Sequence, residues 1–288
     1  GGHLVFSPQP CCGIVVVVML EKKQWRKRAL KLGADAVGFA SAEDLNLHQR
    51  LAYWEPLAFE EKSILRKISP KEHFPEAKGI LVVLKHYTLY ENLLREGEVK
   101  TSSAAVMDYH REMRALLTRL AQELEEEGIH SKPMCDVEGL LDREIARRSG
   151  LGYIGKNTFL LHPELGSSHN IGYLLLDVEV KSDEEIERDC GTCTLCVEAC
   201  PQGAIRGDYT LDAKRCLSYI TQWKDASFTP LGGCFYGCDI CLRACPHNQV
   251  EERSEDFIFQ EDAFNHLSNR AFKRLYGHRD FAWVGKDR

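Results

Sequence analysis

This sequence has no apolar stretch long enough to cross a membrane as a helix. Its one sustained apolar run, Gly13 to Leu20, falls far short of the roughly 20 residues such a span needs, and no basic segment precedes it as in a secretory leader. A surplus of positive charge is also missing. The formal net charge is −6, which gives no global attraction to nucleic acid yet leaves a local basic groove open. No Gly-x-Gly-x-x-Gly opens a helix after a strand. The nearest spacing, Gly150-Leu-Gly152-Tyr-Ile-Gly155, follows a predicted helix, which argues against a Rossmann nucleotide site. Internal repeats are absent apart from a doubled cysteine group. Apolar content of 44% with mixed charge excludes a disordered or fibrous chain.

What the chain does have is cysteine, twelve in 288 residues. Cys190-Gly-Thr-Cys193-Thr-Leu-Cys196-Val-Glu-Ala-Cys200-Pro201 is the C-x2-C-x2-C-x3-C-P run of bacterial two-cluster ferredoxins. A looser second group follows: Cys216, then Cys238-Asp-Ile-Cys241-Leu-Arg-Ala-Cys245-Pro246. A zinc ribbon would instead space C-x2-C pairs about 15 to 20 residues apart. A disulfide scaffold fits neither the spacing nor the missing leader. Together the groups supply eight thiolates, enough for two [4Fe-4S] clusters. In two-cluster ferredoxins the fourth cysteine of each run reaches across to the other cluster. That rule assigns Cys190, Cys193, Cys196 and Cys245 to one cube, and Cys200, Cys216, Cys238 and Cys241 to the other. Cys11, Cys12, Cys135 and Cys234 have no place in this scheme. A pair of cubes moves single electrons and does no bond chemistry, so the rest of the chain should hold what receives them.

The upstream pattern alternates helices and strands. An amphipathic helix is expected from Glu21 to Leu32, with Trp25, Ala29 and Leu30 on one side and Gly33 closing it. Ala36 to Ala40 reads as a strand, and Leu45 to Tyr53 as a helix. The polar segment Glu60 to Pro70 carries Lys62, Arg66 and Lys67 and reads first as a solvated face. Gly79 to Leu84 is a continuous apolar strand of the kind buried on both faces. Glu91 to Ser103 reads as a surface loop. Tyr109 to Glu127 is the strongest helix, since Met113, Leu116, Leu117, Leu120 and Leu124 share one face. Ser131 to Asp136 is a strand ending in an aspartate, Leu140 to Ser149 a helix stopped by Gly150, and Asn157 to His162 and Ile171 to Val180 two further strands. The order implies an α/β (α+β) layered domain up to about Val180, followed by a two-cluster ferredoxin-like domain. We expect an N-terminal extension over 1–18 with a natural start at Met19, a catalytic domain over 19–182, the cluster domain over 183–250 and a helical segment over 251–288.

Several segments carry a family resemblance. They are Asp108-Tyr109-His110, Asp136 with Asp142-Arg143-Glu144-Ile-Ala146, Gly150-Leu-Gly152-Tyr-Ile-Gly155-Lys156-Asn157, Gly166-Ser167, Ala213-Lys-Arg215-Cys216-Leu-Ser218-Tyr219 and Tyr236-Gly237-Cys238-Asp239-x-Cys241. In combination, over about 22–288, they resemble the epoxyqueuosine reductase family. The resemblance implies a cobalamin-dependent enzyme, related to reductive dehalogenases, that reduces the epoxide of epoxyqueuosine at the tRNA wobble position. Reductive dehalogenases usually bear a twin-arginine signal, and this chain has none. The resemblance also implies that cobalamin is bound base-off, which leaves His86, His110, His162 and His169 poor candidates for cobalt ligands. It makes Asp136 the acid that protonates the departing oxygen, with burial expected to raise its pKa enough to hold the proton. Taken alone, an aspartate at a strand end suits either a functional group or a helix N-cap. Asp108 is the second candidate acid, with capping of the long helix as its other reading. Lys67, Lys156, Asn157, Ser218 and Gln222 match positions expected to face the cofactor. Ser168-His169-Asn170 departs from the aromatic that many relatives carry there. The expected partners are a tRNA anticodon stem-loop and an external low-potential electron donor, with no membrane, for a cytoplasmic monomer. Lys62, Arg66, Arg143, Arg147, Arg148, Lys273 and Arg274 are candidate RNA contacts. Two other functions stay open: a corrinoid iron-sulfur reductase acting on a small molecule, and an electron carrier without corrinoid.

Overall fold

The computed structural model describes residues 20–45, 63–91, 93–106, 108–136, 139–222, 233–260, 262–263, 267–279 and 281. The expected extension over 1–18, the start at Met19, Cys11, Cys12, Lys62, nearly all of the helix expected from Leu45 to Tyr53 and the last residues after Phe281 lie outside the described residues. In chain order the helices are α1 (Lys22–Lys31), α2 (Ile64–Ile68), α3 (Tyr109–Glu126), α4 (Asp142–Arg148), α5 (Leu195–Ala199), α6 (Leu217–Gln222), α7 (Ile240–Arg243) and α8 (Asn269–Tyr276). The strands are β1 (Ala36–Ser41), β2 (Gly79–His86), β3 (Leu89–Tyr90), β4 (Glu98–Thr101), β5 (Ser131–Cys135), β6 (Tyr153–Ile154), β7 (Leu160–Leu161), β8 (His169–Leu176), β9 (Cys234–Tyr236), β10 (Val250–Glu251) and β11 (Ile258–Gln260).

The central sheet runs β1-β2-β8-β5, and every pairing in it is antiparallel. Alternation along β2 sorts its apolar run between two cores, because successive side chains on a strand point to opposite faces. Leu81 and Val83 join Trp25 and Ala29 of α1 and the Met113, Leu116, Leu117, Leu120 and Leu124 stripe of α3. Ile80, Val82 and Leu84 join Ile145 and Ala146 of α4 on the other side. Helix α3 lies close on β8, where a Cβ at Gly172 would stand 2.4 Å from Met113 Sδ. Any larger residue there would force the Met113 side chain to move.

The expected layering is present, with antiparallel strands that make the class α+β. A helix-strand alternation says nothing about strand direction. Three local expectations are corrected. Leu30 is 45% exposed and does not share the buried side of Trp25. Lys67 is buried, although its neighbour Arg66 is exposed, so the basic segment is not a solvated face throughout. Glu91 to Ser103 contains β4, whose Val99, Lys100 and Thr101 are buried, where a surface loop was expected.

The two halves of the sequence share strands. β4 sits between β11 and β9 in a three-stranded sheet, and β3 pairs with β10. Phe235, Tyr236, Phe259, Phe272, Tyr276 and Phe281 pack as an aromatic cluster beside this sheet. Domain limits drawn at 182 and 250 divide the sequence, while the pairing runs across them.

Candidate active site and cluster sites

A cavity of about 250 Å³ lies where the first half of the chain meets the cysteine-bearing half. Tyr87, Tyr109, Asp136, Asp142, Arg143 and His169 line it from one side, and Ser218, Gln222, Cys238 and Asp239 from the other. Asp136 follows the last residue of β5 and adopts φ +56°. That left-handed conformation costs an L-residue roughly 1–2 kcal/mol. It turns the chain off the strand at the carboxylate. Asp108 caps α3 by accepting from His110 N–H at 3.2 Å, which sets the first turn of that helix against Asp136. Tyr109 donates its hydroxyl to Asp136 Oδ2 at 2.8 Å, and His110 Nε2 lies 2.9 Å from the same oxygen. The two rings stack with centroids 4.1 Å apart. His110 Nδ1 faces Asp108 Oδ1 at 3.4 Å, so the imidazole stands between two carboxylates.

The charge state of Asp136 differs from expectation. Burial pushes its pKa up, but the hydrogen bonds from His110 and Tyr109, with the charges of His110 and Arg143, outweigh this and hold the carboxyl below its ordinary value. The side chain is 50% exposed, so it is hemmed by protein yet reachable from the cavity. The carboxyl whose hold on a proton is strengthened is Asp142, the first residue of α4. Burial, then repulsion from Asp136, pushes it up to about 7, while Tyr173 donates to its Oδ1 at 3.0 Å. Beside it Arg143 stacks 4.2 Å from the centroid of the Phe159 ring and donates to Thr158 O at 3.0 Å.

A carboxyl raised in the folded state favours folding most below its unfolded pKa of about 4, and that contribution is lost as pH rises through the folded value. Asp142→Asn is therefore expected to flatten the fall in stability between about pH 4 and 7. Chemical denaturation at a series of pH values measures it. Equal slopes in the two chains would assign the proton elsewhere.

His169 is buried with Nε2 3.1 Å from Leu160 O, and its Nδ1 has no hydrogen-bond partner among the described residues. Burial lowers its pKa to about 4, which keeps the ring neutral. Ser218 and Gln222 sit one turn apart on α6, joined by Gln222 Nε2 to Ser218 Oγ at 2.9 Å.

Cys190, Cys193, Cys196 and Cys245 line a second cavity of about 90 Å³. They are the four that the crossed rule assigns to one cube. Cys200, Cys216, Cys238 and Cys241 form the other group, in which burial pushes the thiols of Cys216 and Cys241 up and the neighbouring cysteines push them further. Four thiolates crowded this way repel one another unless a cationic core sits among them, which is the chemistry of an iron-sulfur ligand set. Among the described residues no three His, Cys, Asp or Glu side chains close on a single metal ion. A cubane, whose ligands bind four separate irons, sets its thiolates wider apart than one ion does. Lys156 N–H donates to Cys190 Sγ at 3.4 Å and Ala204 N–H to Cys200 Sγ at 3.3 Å. The chain between the halves is latched near Cys245, where Asn248 Oδ1 accepts from Ser167 N–H at 2.6 Å and Nδ2 donates to Ser167 Oγ at 2.9 Å.

Several candidate residues stand elsewhere than expected. Lys156 and Asn157 line the small cavity, and Lys156 Nζ binds Gly191 O and Cys193 O at 2.7 and 2.9 Å, so they serve the cysteine side. Asp108 caps a helix and stands 3.4 Å from His110 Nδ1, on the side of the ring away from Asp136. Lys67 lies outside the residues that line the large cavity, and its carbonyl accepts from Leu141 N–H. Arg143 is exposed and faces the cavity, while Arg147 pairs with Glu144 and Glu185 and Arg148 binds the Glu43 carbonyl, so these two half-buried side chains are engaged within the protein. Sequence reasoning missed Tyr87, Tyr109 and Asp142 as site residues. The available signal was that a capping aspartate places the next two side chains at the mouth of a helix N-terminus.

Comparison with known proteins gives consistent matches. The family model described as "4Fe-4S double cluster binding domain" matches residues 189–248, and the one described as "Epoxyqueuosine reductase QueG, DUF1730" matches residues 67–137. The epoxyqueuosine reductase of Staphylococcus aureus is 31% identical over 93% of this chain and 78% of its own length. The solved epoxyqueuosine reductase of Streptococcus thermophilus superposes with a TM-score of 0.83 at 31% identity, covering 93% of this chain and 78% of its own. An epoxyqueuosine reductase solved with a tRNA-Tyr epoxyqueuosine-modified stem loop gives 0.80 at 32% identity, covering 92% and 77%. A catabolic reductive dehalogenase shares the fold at 19% identity and a TM-score of 0.55, over 77% of this chain and 31% of its own.

Proposed function

This chain belongs to the epoxyqueuosine reductase family, and on that premise we propose that it reduces epoxyqueuosine in a tRNA anticodon stem-loop to queuosine within the large cavity. One observation carries the proposal: Asp136 and Tyr109, the carboxylate also held by His110, and a cluster-ligand segment, Cys238 with Asp239, line the same cavity. Electrons and protons then meet at one place. Removing the epoxide oxygen as water and leaving a double bond consumes two electrons and two protons.

The cysteine groups hold two [4Fe-4S] clusters. The set Cys200, Cys216, Cys238 and Cys241 is nearer the reaction because Cys238 borders the large cavity, and the set around Cys190 takes electrons from an external low-potential donor. Cobalamin, when bound, supplies a cobalt centre that collects single electrons and returns them as a pair. The donor set suits it. His169 Nδ1, unpaired on the cavity wall, and the Ser218 and Gln222 pair offer an acceptor and donors to the amide side chains around a corrin ring. Asp136, an anion at rest, receives a proton from His110 and passes it to the departing oxygen, with Tyr109 fixing the carboxylate. Asp142 holds a second proton close by. Arg66, Lys273 and Arg274 keep exposed side chains for the phosphate backbone of the RNA. A base reaches the cavity only by leaving its stack. A tRNA substrate places the work in the cytoplasm, and no helix among the described residues is long and apolar enough to cross a membrane.

The test uses anaerobically purified chain loaded with iron-sulfur and cobalamin, given reductant and an anticodon stem-loop carrying epoxyqueuosine. Mass spectrometry of the digested RNA is expected to show loss of one oxygen atom from the modified base. Turnover of small epoxides or organohalides with none on RNA would favour the small-molecule reductase instead. A chain that takes up iron but no cobalamin would be an electron carrier.

A further inference from the structure

Lys100 is 1% exposed, and its Nζ has no hydrogen-bond partner among the described residues. It sits on β4, the middle strand of its sheet, and opposite Cys234 of the parallel strand β9, where its N–H donates to Gly233 O at 2.8 Å. Cys234 in turn hydrogen-bonds Cys238. Burial holds the Lys100 pKa below the ordinary lysine value, while Cys234, Asp239 and Cys238 draw it back up and Arg243 opposes them. Asp239 is already committed: its Oδ2 accepts from Ser103 N–H at 2.5 Å and lies 3.8 Å from Arg243 Nη1. A buried ammonium without an acceptor is strongly disfavoured, so its place calls for more negative charge than the surrounding side chains supply. Two cations, Lys100 and Arg243, converge on the segment that carries Cys238 and Cys241.

We propose that Lys100 is a positioning residue that places its charge beside the cluster held by Cys200, Cys216, Cys238 and Cys241 and raises the reduction potential of that cluster. The inference rests on the cluster reading above. Net charge and hydrogen bonds to sulfur set the potential of such clusters, and a fixed positive charge stabilises the reduced, more negative form. Electrons arriving at the outer cluster are thereby drawn to the inner one, beside the large cavity.

The test compares cluster-loaded wild type, Lys100→Met and Lys100→Arg by EPR-monitored redox titration, with iron counted in each. In Lys100→Met one of the two cluster signals is expected to move to a lower potential by about 59 mV or more, a tenfold change in a one-electron equilibrium, while the other stays. Lys100→Arg, which keeps the charge, is expected to titrate with the wild type. Unshifted potentials in Lys100→Met at full iron content overturn the proposal, as does an equal shift in Lys100→Arg. Should Lys100→Met bind less iron, Lys100→Gln carries the comparison: a downward shift supports the proposal and an unshifted potential overturns it. A wild-type chain lacking both cluster signals fails the cluster reading itself, and its iron count separates that result from a failure at Lys100.

Discussion

Replacing Asp136 by asparagine is expected to lower turnover by about 10²- to 10⁴-fold, the usual contribution of a positioned acid or base, while iron content and cobalamin uptake stay at wild-type levels. Asparagine keeps the size of the side chain and an oxygen to accept from Tyr109, but it cannot carry a proton from His110 to the substrate. The effect belongs in the chemical step, so single-turnover rates should fall and stem-loop affinity should hold. His110→Asn is expected to reproduce part of the loss, because it removes the group that reloads Asp136 and leaves the carboxylate in place. If Asp136→Asn kept full single-turnover rates, the acid would have to be sought elsewhere on the cavity wall, with Asp142 next.

Cys245→Ala is expected to abolish turnover and to leave about half the iron, one cube of two. The more telling result is which signal disappears. Cys245 lines the small cavity with Cys190, Cys193 and Cys196, far in sequence from three of its companions and four residues from Cys241. Crossing therefore predicts that Cys245→Ala and Cys193→Ala remove the same EPR signal, whereas Cys241→Ala removes the other. If Cys245→Ala and Cys241→Ala removed the same signal, the clusters would be held without crossing.

Much of this was legible in the sequence where a pattern repeats locally. The apolar run from Gly79 to Leu84 declared a strand covered on both faces, and the stripe from Met113 to Leu124 declared which side of α3 faces it. The cysteine spacing anticipated which thiols gather on the small cavity. What stayed hidden depends on partners distant in the chain. Asp136 looked like a buried, protonated acid, but its protonation depends on a histidine and a tyrosine from another helix, and these hold it as an anion. Lys156 looked suited to a cofactor, while its ammonium is tied to carbonyls 35 and 37 residues onward. Lys100 gave no signal at all, since its segment reads as a polar loop until β9 and β11 flank it. Charge in a sequence identifies a side chain that ionises in water. It does not say what the fold will set against it.

The shared strands have a consequence for how this protein can be taken apart. Both neighbours of β4 and the partner of β3 lie beyond residue 182, so a cut there strips two strands of every backbone hydrogen bond across their edges. The cysteine half is not a plug-in module that can be exchanged for another ferredoxin or expressed by itself with its wiring intact. Any transplant, by evolution or by an engineer, has to carry β3 and β4 along, and with them Lys100.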